Sequence, residues 1–216
     1  MENVKLIIFD LDGTLVDAYT AINRSFNYVL SKLDLKTQSP RLIRRSVGWG
    51  DANLLRPFVN PKDLNRALSL YRQHHKHSLL RYSYLYPQAR SLLRNFKAQG
   101  YKLAVASNRP TKFSLILLKH LDILKYFDYV LCADKLKHGK PYPEILNKII
   151  KRFAFKKSQV LYVGDMAIDA QAAKRAKVKA IIITGGSSSK VQIKKEQPFK
   201  VISGLSQLLK LFSGKG

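Results

Sequence analysis

The sequence predicts an α/β fold, a Rossmann-like doubly wound parallel sheet with an all-helical cap inserted after the first strand. Three observations predict it. Short Val- and Ile-rich runs alternate with longer amphipathic stretches, the pattern of βα units. The apolar runs are nearly uninterrupted, which suits strands covered by helices on both faces. One interval, residues 19–86, breaks the rhythm and reads as helix after helix with no convincing strand.

Residues 4–9, 103–107, 129–132, 160–163 and 180–184 are the candidate strands. Within the interval, 21–33 is amphipathic, and Asn60 with Pro61 and Asp63 makes a capped start for a helix through residue 79. After it, 88–99 is a helix closed by Gly100, and 111–121 follows Pro110. Pro143 opens 144–153 from its first turn, and a last helix covers 168–177. Residues 1–16 and 87–216 are therefore expected to form the core and 17–86 the cap. Residues 185–190 and the last few residues read as loop, and no internal repeat is visible.

At 216 residues with 46% hydrophobic content, the chain can bury a core, and its composition excludes disordered or fibrous classes. The apolar stretch at the N-terminus is too short for a secretory or membrane segment. Cys132 is the one cysteine, so no intrachain disulfide can form, and a reducing, cytoplasmic setting is expected. Cys132 itself reads as a small buried filler at a strand end. Lys and Arg number 39 against 14 Asp and Glu, a net charge of +25 that attracts polyanions and phosphorylated metabolites alike. The basic residues are spread along the chain, and no zinc-finger, RRM or basic-zipper pattern accompanies them, which argues against specific nucleic-acid binding.

The chemistry gathers at strand ends. Asp10 and Asp12 stand just past the first strand, where α/β folds bind ligands, and Gly13 lets the backbone turn at once. Asp165 and Asp169 repeat the theme after the fourth, four residues apart and able to share a pocket if a helix starts there. Such a concentration of acids needs a cation, and all-oxygen ligation suits Mg²⁺. Ser107, Asn108 and Lys140 supply the hydroxyl, amide and cationic groups that hold a phosphoryl oxygen. Nucleophile, proton-transfer acid, metal and phosphate donors together make a set for phosphoryl transfer.

These segments, Asp10 to Thr14, Ser107-Asn108, Lys140-Pro141 and Gly164-Asp165 through Asp169, resemble in order the four motifs of the haloacid dehalogenase-like superfamily. The helical insertion and Lys140-Pro141-Tyr142-Pro143 are similar to its phosphoglycolate phosphatase and phosphoglucomutase branch. The resemblance implies a phosphatase acting on a small phosphorylated metabolite, such as phosphoglycolate, a sugar phosphate or a nucleoside monophosphate, through an aspartyl-phosphate on Asp10. Asp12 would protonate the leaving alcohol and then activate water, while Ser107 and Lys140 hold the phosphoryl oxygens with help from the Asn108 amide. Mg²⁺ would be bound by the Asp10 carboxylate, the Asp12 carbonyl and Asp165, with Asp169 acting directly or through water and Lys140. The acid at position 12 argues against the dehalogenase members, because an alkoxide needs a proton donor and a halide does not. A phosphomutase of the same branch, or a basic binding protein on this fold, are the alternatives.

In the cap, Arg44, Arg45 and the turn of Gly48, Trp49 and Gly50 are candidates to meet the far part of the substrate, as in similar enzymes. His74, His75 and His77 read as a polar helix face in place of a metal site, with protonation near their ordinary pKa making cap behaviour pH-sensitive. The stretch from Gly185 to Lys190 lacks the spacing of a nucleotide-binding loop.

Overall fold

Every side chain of β1 (Leu6–Phe9) is buried. This is a computed structural model describing residues 1 and 3–212; the loop expected at 213–216 lies outside the described residues. After a glycine turn, β2 (Val16–Asp17) pairs antiparallel with β3 (Tyr84–Leu85), so the chain leaves and re-enters the core through a two-stranded neck. Between them α1 (Tyr19–Lys32), α2 (Pro40–Ser46), α3 (Asp51–Leu55) and α4 (Leu64–Tyr82) form the helical cap, with α1 packed on α4. The neck corrects the expectation of a strand-free interval; two residues are too few to show an alternation. Asn60 does cap as expected, its side chain accepting from the Lys62 N–H at 3.1 Å over a single 3₁₀ turn that runs straight into α4.

The core continues with α5 (Ala89–Ala98), β4 (Lys102–Ser107), α6 (Thr111–His120), β5 (Tyr129–Cys132), α7 (Glu144–Phe153), β6 (Val160–Gly164), α8 (Ala167–Ala176) and β7 (Lys179–Ile183). It ends with α9 (Lys190–Lys195), β8 (Lys200–Ile202) and α10 (Leu205–Phe212). The six-stranded sheet runs β5-β4-β1-β6-β7-β8, every pair parallel. The chain builds outward from one side of β1 and then from the other, so the crevice past the end of β1 is the topological switch point.

Alternation along the strands makes two cores. Ile7, Phe9, Leu103 and Val105 pack with Leu92 and Phe96 of α5, Leu117 of α6 and Leu208 of α10. Leu6, Ile8, Ala104 and Ala106 pack with Ile145 and Ile149 of α7 and Ala173 of α8. Cys132 is the buried filler expected of it, its thiol bonded to Ser114 Oγ. Among the described residues no helix is long and apolar enough to cross a membrane.

Candidate active site

Asp10 follows β1, Ser107 ends β4, and Asp165 follows β6, so neighbouring strands deliver them to one crevice. Lys140 comes in from the segment before α7, and its buried ammonium reaches Asp10 and Asp169 at 2.8 Å each and Tyr162 at 3.0 Å, occupying three donors with three acceptors. Burial opposes the charge on Lys140, yet the two carboxylates outweigh it and hold the ammonium above its usual range. Asp169, on the first turn of α8, has both oxygens committed. One accepts from Lys140 and from Tyr162 at 2.7 Å, the other from the backbone N–H groups of Asp165 and Met166 at 3.2 and 2.9 Å.

Carboxylate oxygens of Asp10, Asp165 and Asp169 lie within 4.8 Å of one another, all buried. Burial pushes Asp10 up to about 7 in spite of Lys140, and burial with the neighbouring carboxylates pushes Asp165 up as well. One ammonium is thus not enough for three acids, and a divalent cation fits the donor set. Asp165 is aimed by Thr14, whose hydroxyl donates to it at 3.0 Å, and by Tyr19 at 3.4 Å. Gly13, at φ +83°, and Gly186 both press on this carboxylate so closely that a methyl group on either would overlap it. The loop at 185–190 is thereby a wall of the acid cluster, a role its spacing did not announce.

A cavity of about 50 Å³ opens on these groups, and its lining includes Asp10, Asp12, Ser107, Asn108, Arg109 and Lys140 from the core, and Gly48, Gly50, Asp51, Tyr71 and His75 from the cap. Ser107 Oγ accepts from the Arg109 N–H at 3.2 Å, which leaves its own proton to donate into the cavity. Asn108 is used differently from the expected role. Its amide donates to the carbonyls of Lys140 and of Gly48 at 2.9 and 2.8 Å and its oxygen accepts from Lys140 N at 2.8 Å, so it ties the cap to the core and has little left for a phosphoryl group. The Asp12 carboxylate stands apart from the acid cluster, gripped at both oxygens by Arg109.

Arg44 and Arg45 do not line this cavity. The Arg44 guanidinium lies 4.0 Å over the Tyr19 ring and donates to the Gly185 carbonyl, beside a separate hollow of about 310 Å³; Arg45 borders another groove with Trp49. Of the histidines, the two that are three apart keep to the expected polar face and the middle one does not. His77 is exposed and His74 half-buried, but His75 is buried between Tyr71, stacked at 4.7 Å, and Phe113. Burial and the adjacent Arg109 hold His75 well below its ordinary pKa. Arg109 and His75 are among the site residues that the sequence reading missed, with Asp51, Tyr71 and Tyr162. Arg109 had a signal in its position directly after Ser107-Asn108; His75 had none.

The family model for haloacid dehalogenase-like hydrolases matches residues 7–183. A phosphoglycolate phosphatase from Pseudomonas fluorescens strain Pf-5 is 32% identical, over 95% of this chain and 78% of that protein. One from Aquifex aeolicus strain VF5 is 30% identical over 96% of each. The crystal structure of a predicted phosphoglycolate phosphatase from Haemophilus somnus 129pt superimposes with a TM-score of 0.92 at 28% identity, covering 98% of this chain and 99% of that one. With the motif carboxylates, Ser107 and Lys140 gathered at one sheet edge under a helical cap, this chain is an enzyme of the haloacid dehalogenase-like hydrolase family.

Proposed function

We propose that the chain is a Mg²⁺-dependent phosphatase that hydrolyses a small organic phosphate monoester of the phosphoglycolate kind through an aspartyl-phosphate on Asp10. The observation that carries this reading is the convergence of Asp10, Lys140 and Ser107 in one buried cavity with Asp12 at its side. The phosphoryl oxygens would be held by the Ser107 hydroxyl and by Lys140, which also fixes the Asp10 carboxylate for attack. An Asp10 oxygen bonds to phosphorus as the ester oxygen departs, taking its proton from the Asp12 carboxyl. Asp12 then removes a proton from water, whose oxygen bonds to phosphorus and frees Asp10 and inorganic phosphate. Asp10 and Asp165, with Asp169 behind them, would hold Mg²⁺, which supplies charge neutralisation at the phosphoryl group. The names of the relatives favour a short ester hydrolysed by water over transfer to a sugar hydroxyl.

The test is phosphate release from a panel of small phosphomonoesters with and without Mg²⁺. Wild type is expected to require the metal, and Asp10→Asn to lose turnover by a factor of about 10³ or more. Release that persists in Asp10→Asn would refute the covalent mechanism.

A further inference from the structure

Arg109 is a buried cation that the proposed reaction leaves without a task. Its side chain is only 6% exposed. Nε and Nη2 donate to the two Asp12 oxygens at 2.9 and 2.6 Å, and Nη1 faces His75 Nε2 at 2.8 Å. A guanidinium stays charged and can only donate, so Nε2 accepts and the imidazole proton is assigned to Nδ1. Ser25 Oγ stands 3.1 Å from that nitrogen and itself donates to the Ala21 carbonyl at 2.9 Å. Tyr71 and Phe113 fix the ring plane. His75 therefore presents a neutral acceptor from the cap that aims a core guanidinium into the cavity.

Two permanent cations line that cavity, Lys140 and Arg109. Lys140 is committed to Asp10, Asp169 and Tyr162 and, in the proposed reaction, to the phosphoryl group. Asp51, the remaining acid of the lining, is partnered from outside by Arg72 at 3.4 Å. Arg109 is thus the cation left to meet the part of a substrate that is not the phosphoryl group. Its present partner, a carboxylate held fork to fork, shows what it is shaped to take.

We infer that Arg109 is the specificity-determining residue of the site, exchanging the Asp12 carboxylate for a second carboxylate carried by the substrate, with His75 as its positioning residue. This rests on the phosphatase reading and deepens it. A substrate carboxylate replaces both bonds that Arg109 makes to the Asp12 carboxylate, so the exchange conserves charge-assisted hydrogen bonds and frees Asp12 to take up a proton from solvent and turn to the ester oxygen. An ester ending in a hydroxyl offers no equivalent pair, and Asp12 stays clamped. Selectivity then shows in turnover as well as in binding.

The experiment compares 2-phosphoglycolate with 2-hydroxyethyl phosphate, which differ at the distal carbon alone. Wild type is expected to favour the carboxylate ester in kcat/KM by at least about tenfold, with part of the difference in kcat. In Arg109→Gln the ratio collapses towards one, and in His75→Leu it falls; His75→Gln, whose amide oxygen can still accept from Arg109, restores it. Using a ratio within one sample cancels any loss of folded protein. A wild-type ratio near one, or an unchanged ratio in Arg109→Gln, overturns the inference. Calorimetric binding of both esters to Asp10→Asn and to Asp10→Asn with Arg109→Gln separates it from the reaction itself. If wild type hydrolyses neither ester, an Arg109-dependent preference in binding still upholds the inference, and equal binding defeats it.

Discussion

Asp165 shows how tightly single residues are specified here. Its carboxylate is enclosed by the Gly13 turn, the Thr14 hydroxyl and Gly186, with no room for a side chain at either glycine. Gly186→Ala is expected to leave the core folded and to weaken Mg²⁺ binding by roughly tenfold or more, because the added methyl displaces a ligand; isothermal titration with Mg²⁺ alone checks it, and unchanged affinity would remove Asp165 from the metal site. The acids Asp10, Asp12, Asp165 and Asp169 were legible in the sequence because a buried strand end has no structural need for them. Arg109, His75 and the true places of Arg44 and Arg45 were not, since a sequence shows residue type while burial decides role. The same histidine that reads as polar surface becomes, once packed on Tyr71, a neutral hydrogen-bond acceptor.

Among the elements, those with an apolar run or a capping signal were readable in advance: β1, β4 to β7, the helices that connect them, and α1 and α4. β8 was not, because Lys200 and Val201 face solvent at the sheet edge and Ile202 alone is buried. The neck of β2 and β3 failed for want of length, and α2, α3, α9 and α10 are short or follow polar stretches. The capping signal at Asn60 carries a measurable weight. Asn60→Ala frees the Lys62 N–H at the entrance to α4, which should cost about 1 kcal/mol in urea unfolding with an unchanged slope. Activity should follow the folded fraction, since the cap residues of the cavity sit elsewhere along the helix.

For the molecule as a whole, the buried acids set how stability depends on pH. Asp10 is raised from 3.8 to about 7, so the metal-free native state binds more protons than the unfolded chain across that window, and its contribution to stability falls as pH rises through it. His75 has the opposite sign: held below its ordinary 6.5, it withholds a proton that the unfolded chain takes up, and stability is lost as pH falls beneath that value. Mg²⁺ needs the ionised carboxylates, so the rise in Tm on adding it should be larger near about pH 8 than near about pH 5.5. Equal rises in a thermal melt would contradict the Asp10 assignment. The bonds from Asn108 to Gly48 and from Arg109 to His75 lock the cap onto the core over a space of about 50 Å³, room for one or two waters and no ester. Entry therefore has to wait for the lock to break, and ligand association becomes a gated process. In stopped-flow mixing, the observed rate should climb with ligand concentration and then level off at the frequency with which the gate opens by itself.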